Sequence, residues 1–277
     1  MVKKLIISFF ILTMLCASAV YAQFTSEEVT EFEKWEKFLE EAEVTESKQM
    51  QGRTAVTSPW VITLEKDGIT QKALWKNPSG RMGGFIEGWE WEIAAYRLSK
   101  YLHLNMVPPT VERRFKGDRG SCQYWVEGYR SLMEILEKQE KKPSYKIIWW
   151  NRSLYLQRAF DSLIANEDRH QNQYLVSDDW RMILIDHSRA FRQGGRFSKR
   201  LMYGKDGIKG NEEFKQLPMI FVEKLKGLDE ETLKAVVGEY LKPKEIEAVL
   251  IRKDLILKEI DDQIKAIGED KFYYVLH

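Results

Sequence analysis

The sequence predicts an α+β protein of two lobes, a small antiparallel β lobe followed by a larger, mainly helical one, with a helix in front of both. Three observations predict it. Between Gly52 and Asn77 the apolar residues alternate with the period of strands, and Lys66-Asp67-Gly68 supplies a hairpin turn. From Tyr129 onward the period changes to that of helices, first over Leu132–Leu136 and then over Ile147–Ile164. Between Asp161 and Phe191 a helix end, a polar loop, a strand, a turn and a second strand follow one another, with Asp168 before the hairpin and Asp186 after it. The 277 residues suffice for one large core or two lobes, and 44% hydrophobic and 31% charged residues are the proportions of a soluble globular chain.

The first residues stand apart. Lys3-Lys4, the apolar run Leu5 to Val20 and the small residue Ala22 have the three parts of a secretory signal peptide, so residues 1–22 are expected to be removed on export to the periplasm or the medium. Cleavage takes two lysines and no acid, moving the formal charge from +1 to −1, which offers no general attraction to nucleic acid or to an anionic membrane. No stable membrane span is expected afterwards. Residues 23–50 are expected to be helical: Thr25 and Glu28 form a capping box, and Val29, Phe32, Trp35, Phe38 and Leu39 make one apolar stripe.

Residues 51–127 read as the small lobe. Its predicted strands are RTAVT, PWVITLE and ITQKALWK, the last ending in Lys76. A lysine there can neutralise nucleotide phosphates when a carboxylate orients it, although Lys72 competes for that part. Gly52 and the Thr54–Ser58 turn are the only candidates for a phosphate-binding loop. Gly80, Gly83 and Gly84 come after the last strand and read as a connection. The next helix runs from about Glu87 to Leu102, with Trp91, Ala94, Ala95, Leu98, Tyr101 and Leu102 as its apolar stripe. Glu87, Glu90 and Glu92 all lie near the edges of that stripe, and periodicity does not choose among them. The stretch from Gly120 to Gly128 is a strand running into a glycine.

Residues 128–277 read as the large lobe. Trp149 and Trp150 are most simply core. The glycine-rich basic segment with Arg192, Arg196, Lys199 and Arg200 reads as a solvated loop, the alternative being a surface for an acidic substrate. Beyond Leu217 the pattern is helical with caps at Asp229, Pro243 and Gly268. There is no internal repeat, zinc spacing, GxSxG or nucleic-acid motif. His103, His187 and His277 have no ligand spacing, and His170 is expected to prop the loop around Asp168 rather than act as a base.

Asp168 and Asp186, at the two mouths of one hairpin, suit phosphoryl transfer: one acid takes the acceptor hydroxyl's proton and the other holds the metal that bridges the nucleotide phosphates. Either residue alone would be ordinary turn chemistry.

Four segments carry a resemblance. Asp168-Arg169-His170 resembles the catalytic loop of the HipA and phosphatidylinositol 3-/4-kinase-like clan. Within that clan, three further segments are similar to those of the secretory-pathway kinases of the Golgi casein kinase and Four-jointed type. They are Asp186-His187-Ser188-Arg189-Ala190-Phe191, Ala73-Leu74-Trp75-Lys76-Asn77, and Glu92-Ile93-Ala94-Ala95-Tyr96-Arg97-Leu98 followed by Val107-Pro108-Pro109. The resemblance implies a protein-kinase-like fold and an ATP-dependent phosphotransferase acting on a hydroxyl of a protein or carbohydrate. It makes Lys76 the nucleotide lysine, Glu92 its partner and Asp168 the catalytic acid. Asp186 becomes the ligand of Mg²⁺ or Mn²⁺, helped by Gln173 or Asn172, and the backbone around Gln123 and Trp125 the hinge that reads adenine. The chain departs from the pattern in three places: Asn77 stands where a proline is usual, Gln173 where an asparagine is usual, and Asp-His-Ser replaces Asp-Phe-Gly. With Cys16 removed, the lone Cys122 cannot form an internal disulfide, unlike the disulfide-rich eukaryotic members, which suggests a bacterial exported one. Two other functions remain open on the sequence, a catalytically inactive nucleotide-binding docking module and an adenylyl transferase.

Overall fold

The computed structural model describes residues 23–51 and 57–276. The signal-peptide segment, Gly52, most of the predicted RTAVT strand and its turn, and His277 lie outside the described residues.

The chain opens with two short helices, α1 (Ser26–Thr30) and α2 (Phe32–Glu41). The Thr25 hydroxyl accepts from the Glu28 N–H and the Glu28 carboxylate accepts from the Thr25 N–H, the reciprocal capping box. The helical segment ends earlier than expected. Residues Glu43–Gln49, read above as part of it, form strand β1. The reason is local: only Val44 of this strand is partly buried, so no apolar stripe continues past Ala42 to hold a helix on the core.

Strands β2 (Trp60–Lys66) and β3 (Ile69–Lys76) pair through the predicted turn, where Asp67 and Gly68 both take positive φ, as a two-residue hairpin loop requires. The glycine-containing stretch after β3 is a second hairpin, β4 (Ser79–Met82) and β5 (Phe85–Gly88), with Gly83 and Gly84 as its turn. The connection read from Gly80, Gly83 and Gly84 is thus itself a paired hairpin. Helix α3 (Glu90–Tyr101) then begins later than the pattern suggested, so Glu87 belongs to β5 and not to the helix.

Strands β6 (Thr110–Phe115) and β7 (Asp118–Tyr124) complete an antiparallel sheet of order β1-β2-β3-β7-β6. Its buried face carries Ile62, Leu64, Ala73, Trp75, Val111 and Cys122, closed by Phe38, Leu39 and Ala42 of the α2 region. The Arg113 guanidinium donates to the Leu39 and Ala42 carbonyls, satisfying the C-terminal end of α2. Gly120 permits a close approach: a Cβ there would lie 2.4 Å from the Lys76 carbonyl oxygen and 2.8 Å from the Trp75 ring. Burial pushes the Cys122 thiol up to about 12, so this cysteine is a packing residue.

The large lobe follows with β8 (Tyr129–Ser131), α4 (Leu132–Glu137) and the central helix α5 (Ile147–Ile164). Strands β9 (Tyr174–Ser177) and β10 (Met182–Leu184) form the predicted hairpin, with β8 on the other side of β9. Strand β11 (Leu217–Pro218) and helices α6 (Met219–Lys226), α7 (Glu230–Val237), α8 (Pro243–Ile267) and α9 (Glu269–Phe272) complete the lobe. Strand β12 (Tyr273–Tyr274) returns to pair in parallel with β11. Asp229 caps α7 by accepting from the Thr232 N–H, Pro243 opens α8 and Gly268 closes it. Phe160, Leu163 and Ile164 of α5 pack with Ile256 and Ile260 of α8 and with Ile93 and Leu98 of α3 in one continuous core, so α3 belongs to both lobes. No helix among the described residues is long and apolar enough to cross a membrane.

Candidate functional site

The site lies where the end of β3, helix α3, the polar loop after α5 and the segment after β10 converge. Lys76 closes β3 with a nearly buried side chain. Its ammonium donates to Glu92 Oε1 at 2.8 Å and to Asp186 Oδ1 at 2.9 Å. Lys72, the competing lysine, is exposed. Of the three glutamates near the start of α3, it is Glu92 that meets the lysine. Burial works against the charged form of Lys76, but the Asp186 and Glu92 carboxylates outweigh it and hold its pKa above the usual lysine range. Burial likewise opposes the Glu92 carboxylate, and Lys76 together with the His187 side chain overcomes it, so Glu92 stays ionised well below the usual range; the His187 backbone N–H also donates to Glu92 Oε2 at 2.9 Å.

The loop after α5 is built around a fully buried ion pair. Helix α5 ends on Ala165 in the left-handed conformation, φ 47°, which turns Asn166 back onto Asp161. Arg169 grips both oxygens of Asp161, Nε at 2.8 Å and Nη2 at 3.0 Å, and its Nη1 donates to the Gln173 and Ile185 carbonyls. One guanidinium therefore ties the loop to the helix before it and to the strand end after it. A planar fork with five donors suits this task, and a lysine would not. Burial opposes the charge on Arg169 and Asp161 more than offsets it, so the guanidinium pKa is raised; Arg169 in turn lowers that of Asp161.

His187 lies against the same arginine, Nε2 2.9 Å from Arg169 Nη2. A guanidinium only donates, so Nε2 accepts and the imidazole is neutral with its proton on Nδ1. Burial depresses its pKa. His170, by contrast, is exposed and caps the short turn that follows by accepting from the Asn172 N–H. The propping expected of His170 is done by Arg169, whose long buried side chain reaches Asp161, the Gln173 and Ile185 carbonyls and His187, which an exposed imidazole does not.

Asp168 stands at the mouth of this arrangement. Arg189 Nη1 donates to its Oδ1 at 3.0 Å, and Gln173 Nε2 to its Oδ2 at 3.3 Å. Of the two amides in question, the structure brings Gln173 to Asp168, while Asn172 is exposed. Gln173 Oε1 is buried with no hydrogen-bond partner. The bond from Nε2 fixes the orientation of the amide, because a flipped Gln173 would set its oxygen against a carboxylate. Asp186 has φ 61°, a conformation that costs an L residue of order 1–3 kcal/mol and that gathers at functional sites. Lys76 donates to Oδ1 and Ser188 Oγ lies 3.2 Å from the same oxygen, so Oδ2 takes no hydrogen bond from the described residues.

The stretch from Gln123 to Trp125 departs from expectation. Gln123 is buried with its amide on Thr110, and the Trp125 N–H donates to the Lys72 carbonyl while its own carbonyl accepts from Gln71. Trp125 thus has no free backbone amide with which to read a base. The sheet runs one residue further than β7 itself and consumes it.

The sequence reading weighs Glu87 only as a partner of the lysine and gives Asp161, Ser188, Arg189 and Lys209 no part of their own in the site. Glu87 accepts from Ser188 Oγ and Arg189 Nε, each at 2.6 Å, and Arg189 links it to Asp168. Asp161 was read only as the end of a helix. Lys209, from the glycine-rich segment, donates to the Arg169 carbonyl at 3.2 Å. Nothing in spacing marks these partners, which are brought together across 8 to 102 residues of chain. Arg192, read as part of a solvated loop, is buried, bonded to Glu167 and to the Ile86 carbonyl, whereas Arg196, Lys199 and Arg200 are exposed.

Among the described residues no three His, Cys, Asp or Glu side chains form a metal cluster. The donor set still fits a hard cation that completes its shell with phosphate and water: a carboxylate oxygen of Asp186 without a hydrogen bond, and the orphaned amide oxygen of Gln173.

No protein-family model matches this chain, and no curated sequence does. Solved structures do match. A hydra Fam20 structure with sugar superimposes with a TM-score of 0.66 at 16% identity, over 94% of this chain and 96% of that one. The Golgi casein kinase superimposes with a TM-score of 0.62 at 15% identity, over 92% and 80%; the same kinase with Mn/ADP bound gives 0.63, again at 15% identity over 92% and 80%. At these identities the likeness shows the fold: a two-lobed, protein-kinase-like α+β architecture.

Proposed function

We propose that this protein is an ATP-dependent phosphotransferase that moves the γ-phosphoryl group to a hydroxyl on a protein or carbohydrate acceptor. The observation that carries the reading is the position of Lys76, buried between Glu92 and Asp186 at the site where Asp168 is held by two further side chains. A kinase-like fold that had drifted into a docking module would have no need to maintain a buried lysine between two carboxylates, which is costly unless every charge is paired.

In this reading Lys76, oriented by Glu92, binds the nucleotide phosphates. Asp168 accepts the proton of the acceptor hydroxyl, its two oxygens steered by Arg189 and Gln173. Asp186 and Gln173 Oε1 hold Mg²⁺ or Mn²⁺. Bound there, the cation would neutralise charge on the phosphates. The Golgi casein kinase structure with Mn/ADP supports the cofactor assignment by analogy of fold, and the hydra structure with sugar supports a carbohydrate as one of the two acceptor classes. Export and a signal peptide at residues 1–22 remain part of the proposal.

The test is incubation of the full chain with Mn²⁺ and ATP labelled separately at the α and γ phosphates, with casein and simple glycans as acceptors. Label from γ alone supports the reading. Label from α moves the function to adenylyl transfer. No label from either, with nucleotide stabilising the protein independently of metal, makes it a docking module.

A further inference from the structure

Glu87 of β5 is bonded to the two residues, Ser188 and Arg189, that lie next to the site's acidic residues. Ser188 Oγ lies 2.6 Å from Glu87 Oε2, to which it gives its one proton, and 3.2 Å from Asp186 Oδ1. The other oxygen of Glu87 accepts from Arg189 Nε at 2.6 Å, and Arg189 Nη1 donates to Asp168 Oδ1 at 3.0 Å. Glu87 is 2% exposed and uses both oxygens on these two residues. The Arg189 guanidinium is further fixed against the Phe85 ring, 4.1 Å from its centroid, so the β4–β5 hairpin holds the arginine by an ion pair and by a stacked face. The hairpin itself is fastened to the segment after β10 by the Gly88 N–H on the Ser188 carbonyl and by Arg192 on the Ile86 carbonyl.

We propose that Arg189 is a positioning residue, held by Glu87 and Phe85, that sets the orientation of Asp168 toward the acceptor hydroxyl. The proposal rests on the phosphotransfer reading of the site. A carboxylate on a short side chain at a loop mouth has free rotation about two bonds. Two donors on its two oxygens remove that freedom, and of these two Arg189 carries charge. The arginine cannot do this alone: a long side chain free to swing loses its aim, and Glu87 removes that freedom by fixing Nε while Nη1 faces Asp168. The β4–β5 hairpin thereby becomes part of the catalytic frame. Its tip residues Phe85 and Ile86 are exposed beside it, so whatever displaces the hairpin displaces the acceptor-activating carboxylate as well.

The experiment compares the full-length wild type with Arg189→Ala, Arg189→Lys and Glu87→Gln in steady-state transfer of the γ-phosphoryl group, with and without added guanidinium chloride at a concentration that does not unfold the protein. Misplacing a catalytic group by about 1 Å costs on the order of 100-fold, so Arg189→Ala is expected to lose about that much in kcat with the nucleotide KM nearly unchanged. Guanidinium should restore part of the loss in Arg189→Ala and none in Asp168→Ala, a rescue that a merely structural defect would not show. Glu87→Gln should fall by about 10-fold in kcat, since the arginine stays but its anchor weakens. If Arg189→Ala does not fold, Arg189→Lys carries the test: a single ammonium cannot serve Glu87 and Asp168 as a fork does, and a kcat loss at constant nucleotide KM is expected. An active wild type with Arg189→Ala or Arg189→Lys at full kcat overturns the positioning role alone, as does a loss that guanidinium leaves untouched in a folded Arg189→Ala. A wild type that transfers nothing to any acceptor overturns the phosphotransfer reading and the positioning role together.

Discussion

Lys76 Nζ donates to Asp186 Oδ1 across 2.9 Å, joining the last residue of β3 to a carboxylate 110 positions further along the chain. With Glu92 on its other side, the lysine is the point at which the small lobe, helix α3 and the segment after β10 are held in register. Buried charge of this kind is strongly conditional. Removing one partner strands the others in a medium that solvates them poorly.

Lys76→Met is therefore expected to destabilise the protein by about 3–5 kcal/mol, measured by urea unfolding, even though methionine matches the lysine in bulk. The loss should shrink when Glu92→Gln is added, because the second change removes the stranded charge. A double-mutant cycle reads that coupling directly. Additive losses would contradict a direct ion pair.

Arg169→Lys is expected to behave very differently from a conservative change. The wild-type guanidinium bonds Asp161 twice and two carbonyls besides. A lysine leaves several of these acceptors without partners, at about 1–3 kcal/mol each for a buried polar group, and it frees the loop that carries Asp168. Reduced stability and reduced transfer should appear together, measured by thermal unfolding and by labelled-phosphate incorporation.

The pH dependence of stability has two separable parts. His187 is buried and its folded-state pKa lies below the ordinary 6.5, so the unfolded chain binds a proton that the folded one does not. The contribution is complete above 6.5 and is lost as pH falls below it, by up to about 1.4 kcal/mol per pH unit, until the folded imidazole itself protonates. His187→Gln should flatten that slope. Glu92 has a folded pKa below its ordinary 4.5, so its contribution is present above 4.5 and is lost as pH falls from there toward the folded value. Lys76 has a folded pKa above its ordinary 10.5, so its share holds below 10.5 and is lost only as pH rises through the folded value. Urea titrations across pH 3–8 on the wild type and the two variants His187→Gln and Glu92→Gln separate the acid-side contributions.

Gly120→Ala is expected to cost about 1–3 kcal/mol by overpacking, because the new methyl would meet the Lys76 carbonyl and the Trp75 ring with no flexible side chain to move aside. A shift in the urea midpoint without a change in slope is the expected result.

Much of this was legible in the chain. The β2–β3 hairpin with its Asp67-Gly68 turn, helix α5, the β9–β10 hairpin and the capped helices α7 and α8 follow from local periodicity and turn chemistry, which act within a few residues. The segment resemblance singled out Lys76 and Glu92, and the structure brings those two side chains together. Local rules failed where long-range pairing decides. Strand β1 is polar and exposed on nearly every residue, so it has no alternation to read, and it exists because β2 offers an unpaired edge. Glu87 looked like the start of a helix, and it became a strand residue because Gly83-Gly84 folds the chain back on itself. Arg169, Arg189 and Asp161 are ordinary charged residues in sequence, and only the fold pairs Arg169 with Asp161 and sets Arg189 between Glu87 and Asp168.

The most direct measurement of the central claim separates the two carboxylates. Full-length wild type, Asp168→Asn and Asp186→Asn are compared for Mn²⁺-dependent stabilisation by ATP, read as a thermal shift, and for single-turnover transfer of the γ-phosphoryl group. If Asp168 serves the acceptor and Asp186 the metal, Asp168→Asn keeps the metal-dependent shift and loses transfer, while Asp186→Asn loses both. Transfer at the wild-type rate by Asp168→Asn, or an undiminished metal-dependent shift in Asp186→Asn, would contradict that division of labour.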